Sequence, residues 1–176
     1  GKSRVPPWMT KATLAIVGKG AFGSGLHALY TKAGLSPDHF GRDGPLTLRH
    51  DYVLLAVPTA ALDVVLNRVR FASDTVPVLC CKGLLPDGAV PSSLLSNAHS
   101  FAVLSGPGFA DELAKGLPTV HSLGVSDASM GPKAAQDLST STFRLYWSDD
   151  PTGIQVCGAL KNILAIDRKS TRLNSS

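Results

Sequence analysis

Short, wholly apolar runs alternate along this chain with stretches whose apolar residues recur at helical spacing. Residues 12–17 (ATLAIV), 52–57 (YVLLAV), 76–81, 101–105 and 143–147 read as strands. Residues 38–41 read as a short second strand and 120–125 as extended chain. Between them, helical periodicity predicts helices over 22–33, 60–69, 92–97, 109–115 and 132–138. In the 60–69 segment the spacing rests on Leu62, Val65, Leu66 and Val69. Asp149, Asp150 and Pro151 open a further helix, with acids at its positive end and proline in its first turn.

This alternation predicts an α/β fold of the doubly wound kind, with strands buried on both faces. Parallel sheets bind ligands at the carboxyl ends of their strands, so the residues just after each strand carry the chemistry. After the first strand stands Gly18-Lys19-Gly20-Ala21-Phe22-Gly23, a G-x-G-x-x-G placed between strand and helix. Gly18 permits the tight turn, Gly20 lets backbone approach a pyrophosphate, and Gly23 lets the helix pack on the strand. The fold class expected over residues 11–147 is therefore a Rossmann-type dinucleotide-binding domain, with NAD or NADP as cofactor.

The marker that selects the adenosine ribose falls about 20 residues further on, where Gly41-Arg42-Asp43-Gly44 stands. Arg42 suits the 2′-phosphate of NADP, Asp43 the ribose hydroxyl of NAD, and a solvated charge pair in a turn needs no ligand at all. Only nine residues separate Arg42 from the 52–57 strand, too few for a helix and a crossover. Either these strands are joined unusually or a segment is missing.

Three later stretches add specificity: Cys80-Cys81-Lys82-Gly83-Leu84, Ser105-Gly106-Pro107-Gly108-Phe109-Ala110, and Gly158-Ala159-Leu160-Lys161-Asn162. With GKGAFGSGLHAL and LLAVPTAAL, their order and spacing resemble the soluble NAD(P)-dependent glycerol-3-phosphate dehydrogenases from about residue 11 to 166. The resemblance implies hydride transfer between NAD(P)H and dihydroxyacetone phosphate or sn-glycerol 3-phosphate, serving phospholipid synthesis. It implies that Lys161 exchanges the hydroxyl proton and that Lys82 touches both cofactor and substrate; Asn162 either orients the site or serves as a helix-packing amide. Gly106 matches a substrate-contacting position and Ala110 a cofactor-contacting one. Gly108 stands where the family usually has serine, so a hydroxyl contact to substrate is replaced by backbone N–H alone. Ala21 and Phe22 match the residues beside the cofactor. An apolar helix around Lys161 would disfavour its ammonium form by desolvation. A related hydroxyacid dehydrogenase, or a dinucleotide-binding module without chemistry, shares the glycine motif but is not expected to share all three later stretches.

The family continues into an all-α substrate domain that supplies an Asp and an Arg–Asn pair. Here residues 148–166 correspond to its first helix. Residues 167–176 resemble the translation of a sequencing-library adapter and are expected to be a non-native tail, and residues 1–10 a disordered leader. The chain is thus expected to be a fragment with little turnover, and the resemblance leaves a homodimer open for the parent. The net charge of +4 comes from the two ends, Lys2 with Arg4 and the last ten residues, so no nucleic-acid footprint is expected. No run reaches the length of a bilayer span, so no membrane insertion is expected. Cys80, Cys81 and Cys157 lack disulfide or metal spacing, and together these features point to a cytoplasmic protein. The five histidines show no metal or triad spacing.

Overall fold

The computed structural model describes residues 11–95, 100–107 and 110–174. The expected leader, Gly108, Phe109 and the end of the 92–97 segment lie outside these residues. Leu14–Val17 (β1), Asp38–Phe40 (β2), Tyr52–Leu55 (β4), Val76–Leu79 (β6), Ala102–Ser105 (β7), Thr119–Val125 (β8) and Phe143–Ser148 (β9) form one sheet. Its order is β2-β1-β4-β6-β7-β8-β9, and every neighbouring pair is parallel except β7 with β8. Helices Ala21–Lys32 (α1), Leu62–Arg68 (α2), Ala110–Lys115 (α3), Gly131–Leu138 (α4) and Pro151–Asn174 (α5) complete the fold. The expected helix over 92–97 is a 3-10 turn over Pro91–Leu94 instead. The helix expected over 60–69 begins as a 3-10 turn, Thr59–Ala61, and ends at Arg68.

The apolar strands are explained by their two covered faces. Alternate side chains of a strand point to opposite sides. Leu14 and Ile16 of β1 join a core with Leu26, Leu29 and Tyr30 of α1, while Ala15 and Val17 join one with Leu62 and Val65 of α2. Tyr30 is fully buried, donates its hydroxyl to the Leu138 carbonyl at 2.8 Å and meets Phe143 edge-on. A buried hydroxyl without that acceptor would be strongly penalised.

The link between β2 and β4 resolves the difficulty posed by its length. In place of a helical crossover it contains a second short strand, Leu46–Leu48 (β3), which pairs in parallel with Val69–Phe71 (β5) directly after α2. Leu48 and Val69 are buried in the α2-side core, so this two-stranded ladder covers a sheet face that a helix would otherwise cover.

The start of α5 is fixed firmly. Asp150 accepts the Gly153 N–H at 2.9 Å, a helix cap. Buried Gln155 accepts the Ser92 N–H at 2.9 Å and donates to the Ser92 hydroxyl at 2.8 Å. The helix runs on through residues 167–174. Its outer face exposes Val156, Leu160, Ile163 and Leu164, an apolar stripe at helical spacing. The chain is therefore expected to bind a hydrophobic dye and to self-associate in light scattering, and L160K/I163K to suppress both. A monodisperse unsubstituted chain without dye binding contradicts that expectation.

His121 of β8 is 3% exposed, with its ring tilted on Phe143 at 4.9 Å. Burial, and then the Lys82 charge, pull its pKa down to about 4. An unfolded histidine takes its proton near the ordinary value of about 6.5. Between these values unfolding takes up about one proton, so stability is full above pH 6.5 and falls as the pH drops toward 4. Urea midpoints measured from pH 7 to 4.5 should fall for the native chain. His121→Phe should flatten that slope, and an unchanged slope would contradict the assignment.

Candidate active site

The glycine turn joining β1 to α1 is built for close approach. Gly18 is buried at φ 117°, and a Cβ there would collide with the Ala56 carbonyl. A Cβ at Gly23 would collide with the Gly18 carbonyl, so α1 starts in contact with the turn itself. Gly20 is different, because among the described residues no atom beyond its chain neighbours lies within 4 Å of where its Cβ would be. Packing within the protein does not require glycine at that position, whereas a ligand lying on the backbone does. The first N–H groups of α1, at Ala21, Phe22 and Gly23, have no acceptor within the helix. No side chain caps them and no acid occupies the first turn. Open space, free donors and the positive end of the helix together fit a pyrophosphate.

Lys82 is brought to this turn from the end of β6. Its carbonyl accepts the Thr59 hydroxyl at 2.7 Å, and its ammonium stands 5.4 Å from the centre of the Phe22 ring. A cation over an aromatic face is attracted to it, which holds the exposed lysine across the turn. The neighbouring thiols are not activated. Burial pushes Cys81 up to about 11 and Cys80 higher still.

Gly106 follows β7, and a Cβ there would come within 2.7 Å of the His121 ring, so this position presents backbone only. The Nδ1 of His121 is buried and has no partner among the described residues. The spacing of this histidine in the sequence fits neither a metal site nor a triad, so no local pattern marks it. Only the β7–β8 pairing, which sets Ser105 opposite Ser122, carries it to the ligand end of the sheet. Ala110 opens α3, and its carbonyl lies 2.8 Å from where a Gly25 Cβ would be, so α1 and α3 meet backbone to backbone.

Gly158 places α5 against the end of β7, its hypothetical Cβ 2.8 Å from the Ser105 hydroxyl. Lys161 lies three residues further, on nearly the same face of the helix. It is exposed, as is Asn162, so the desolvated setting expected for Lys161 is not found. The residues flanking it, Leu160 and Ile163, are themselves uncovered. Arg42 stands exposed just beyond β2, with no hydrogen bond or ion pair among the described residues. Phe40 of β2 accepts the Gly18 N–H at 2.8 Å, which sets this end beside the glycine turn.

The chain is similar to known proteins over most of its length. Residues 46–131 match the family described as NAD-dependent glycerol-3-phosphate dehydrogenase N-terminus. The glycerol-3-phosphate dehydrogenase [NAD(P)+] of Rhizobium etli (strain CIAT 652) is 37% identical over 191 residues, covering 87% of this chain and 58% of the relative. That of Agrobacterium fabrum is 46% identical over 99 residues, covering 54% of this chain and 30% of the relative. Among solved structures, the glycerol-3-phosphate dehydrogenase of Coxiella burnetii superposes with a TM-score of 0.74 at 24% identity, covering 89% of this chain and 59% of that one. The Plasmodium falciparum enzyme gives 0.70 at 17% identity, covering 87% and 57%, and both show the shared fold.

The chain spans little more than half the length of these relatives. In the Rhizobium etli alignment, 87% of 176 residues is about 153, leaving about 38 of the 191 aligned positions without a counterpart here. The family match begins at residue 46, the first residue of β3, inside the short β2–β4 link that lacks a crossover helix. Sequence and fold together make this chain similar to the amino-terminal Rossmann part of the NAD(P)-dependent glycerol-3-phosphate dehydrogenases.

Proposed function

We propose that this chain is the cofactor-holding part of an enzyme that interconverts dihydroxyacetone phosphate and sn-glycerol 3-phosphate with NAD(P)H, and that alone it binds dinucleotide with little turnover. The observation that carries this reading is the Gly20 position, open on the ligand side while Gly18 and Gly23 on either side are closed by protein. The bound nicotinamide supplies or accepts the hydride. The chain holds the pyrophosphate on the N–H groups of Ala21, Phe22 and Gly23. Lys82, anchored over Phe22, carries positive charge to the place where cofactor and substrate meet.

Reduction of the ketone forms one C–H bond from the hydride and one O–H bond from a proton. That proton needs an acid within hydrogen-bond reach of the oxygen. Lys161 is the candidate, at the end of β7 through the seating of Gly158 on Ser105. In this chain its surroundings are too open to desolvate it. The all-α domain that the resemblance implies would cover the stripe flanking Lys161 and complete the phosphate site. Cytoplasmic location and a dimeric parent belong to the same proposal. Among the described residues, no helix is long and apolar enough to cross a membrane.

Fluorescence titration of the chain with NADH or NADPH should show saturable binding. Gly20→Asp, which sets a carboxylate in the open cradle, should weaken it at least about tenfold without unfolding the chain, because no atom occupies that space. Equal binding by the variant would contradict the reading. Lys82→Ala should weaken binding several-fold, and Lys161→Ala should leave it unchanged, since Lys161 is assigned to the proton and not to the cofactor. Lost binding in Lys161→Ala would reassign that residue.

A further inference from the structure

We propose that the shortened β2–β4 link gives this chain its own selectivity site for the adenosine end of the cofactor, in which Arg68 reads the 2′-phosphate of NADP(H) together with Arg42. The inference rests on the dinucleotide reading above and adds a residue and a preference to it. It starts from the turn at Gly44, whose φ of 84° sends the chain from the end of β2 back along the sheet as β3. Pairing of β3 with β5 then sets Leu46 opposite Val69 and Thr47 opposite Arg70. That register carries the last residue of α2 to the end of β2, and the Arg68 guanidinium lies 3.8 Å from the Asp43 carboxylate. A helical crossover would have no reason to bring these two together.

The contact borders a basin of about 700 Å³ lined by Asp43, Thr47, Asn67, Arg68 and Arg70 among others. Arg68 and Arg70 both line the basin with Asp43, and Arg42 precedes Asp43 in the chain. Among the described residues Arg70 reaches only the carbonyls of Asn67 and Val69, at 3.4 and 3.5 Å, contacts at the weak end of the hydrogen-bond range. The Arg68–Asp43 pair is itself loose, with side chains 46% and 94% exposed. An exposed pair of this kind holds little. A phosphate, with close to two negative charges and a geometry that matches the guanidinium fork, displaces a single carboxylate from such an arginine.

The same contact works against NAD. The acid that would take the adenosine ribose hydroxyls is Asp43, and Arg68 competes for it. NADPH should therefore be preferred, with Asp43 left as a modest opponent of the incoming phosphate. Neither Arg68 nor Asp43 is buried, so their variants should leave the fold intact.

Titrating the 176-residue chain with NADPH and with NADH tests the idea directly. The native chain should bind NADPH at least about tenfold more tightly. Arg68→Ala should cut that ratio about tenfold while NADH affinity stays within about twofold, Arg68→Lys should restore part of it, and Asp43→Asn should raise it. The preference should also weaken with added salt, as exposed charge pairs do. A native chain that prefers NADH, or an Arg68→Ala ratio equal to the native one, overturns the assignment of Arg68 and leaves the dinucleotide reading standing. A folded chain that binds neither dinucleotide overturns both.

Discussion

The contact on which the rest depends is the one between Gly18 and Gly23, where the start of α1 rests on the carbonyl that ends β1. Neither residue tolerates a Cβ, because each is pressed against backbone. That approach aims the first turn of α1 along the sheet's open end, beside the carbonyl of Phe40 and the ammonium of Lys82. Move α1 outward by the width of one methyl group and the N–H donors, the Phe22 ring and the end of β2 no longer share one place. Gly20 has no such internal duty, and this difference among three glycines of one motif is what the proposed ligand cradle rests on.

Much of the fold was legible in the sequence because two-sided burial writes itself as unbroken apolar runs. The segments ATLAIV and YVLLAV contain β1 and β4, each entirely buried. The glycine motif was legible for the same local reason, since its placement between strand and helix is read from adjacent residues. β3 and β5 escaped notice. LTL and VRF are three residues long, too short for alternation to register, and VRF follows a helix without a turn signal between them. The shortness of the link itself was visible, and its consequence, a ladder in place of a helix, lies in long-range pairing that no local pattern records.

The site was legible where it rests on strand ends and illegible where it rests on neighbours across the sheet. Lys82 and Gly106 follow β6 and β7, the strand ends where the sequence puts them, and the Lys82 ammonium stands near Phe22 of the glycine turn. His121 was passed over because its importance comes from an antiparallel pairing and from the ring's position against Gly106. Lys161 was expected in an apolar setting from residues such as Leu160 and Ile163, but those side chains face outward. A helix with an apolar stripe does not tell from its sequence which surface covers that stripe, so burial of Lys161 was an inference about a neighbour and not about the helix. Arg68 was silent for a related reason, being an ordinary cation at a helix end until the β3–β5 register delivers it to Asp43.

The central claim is that the start of α1 is a pyrophosphate cradle, and backbone amide resonances report on it without any assay of turnover. NADPH added to the isotope-labelled chain should shift the amides of Gly20, Ala21, Phe22 and Gly23 most strongly and that of Lys82 next. Residues near the opposite end of the sheet, such as Thr75 and Ala102, should stay still. Saturable binding that leaves the Gly20–Gly23 amides unmoved, or shifts spread evenly over the chain, would contradict the account.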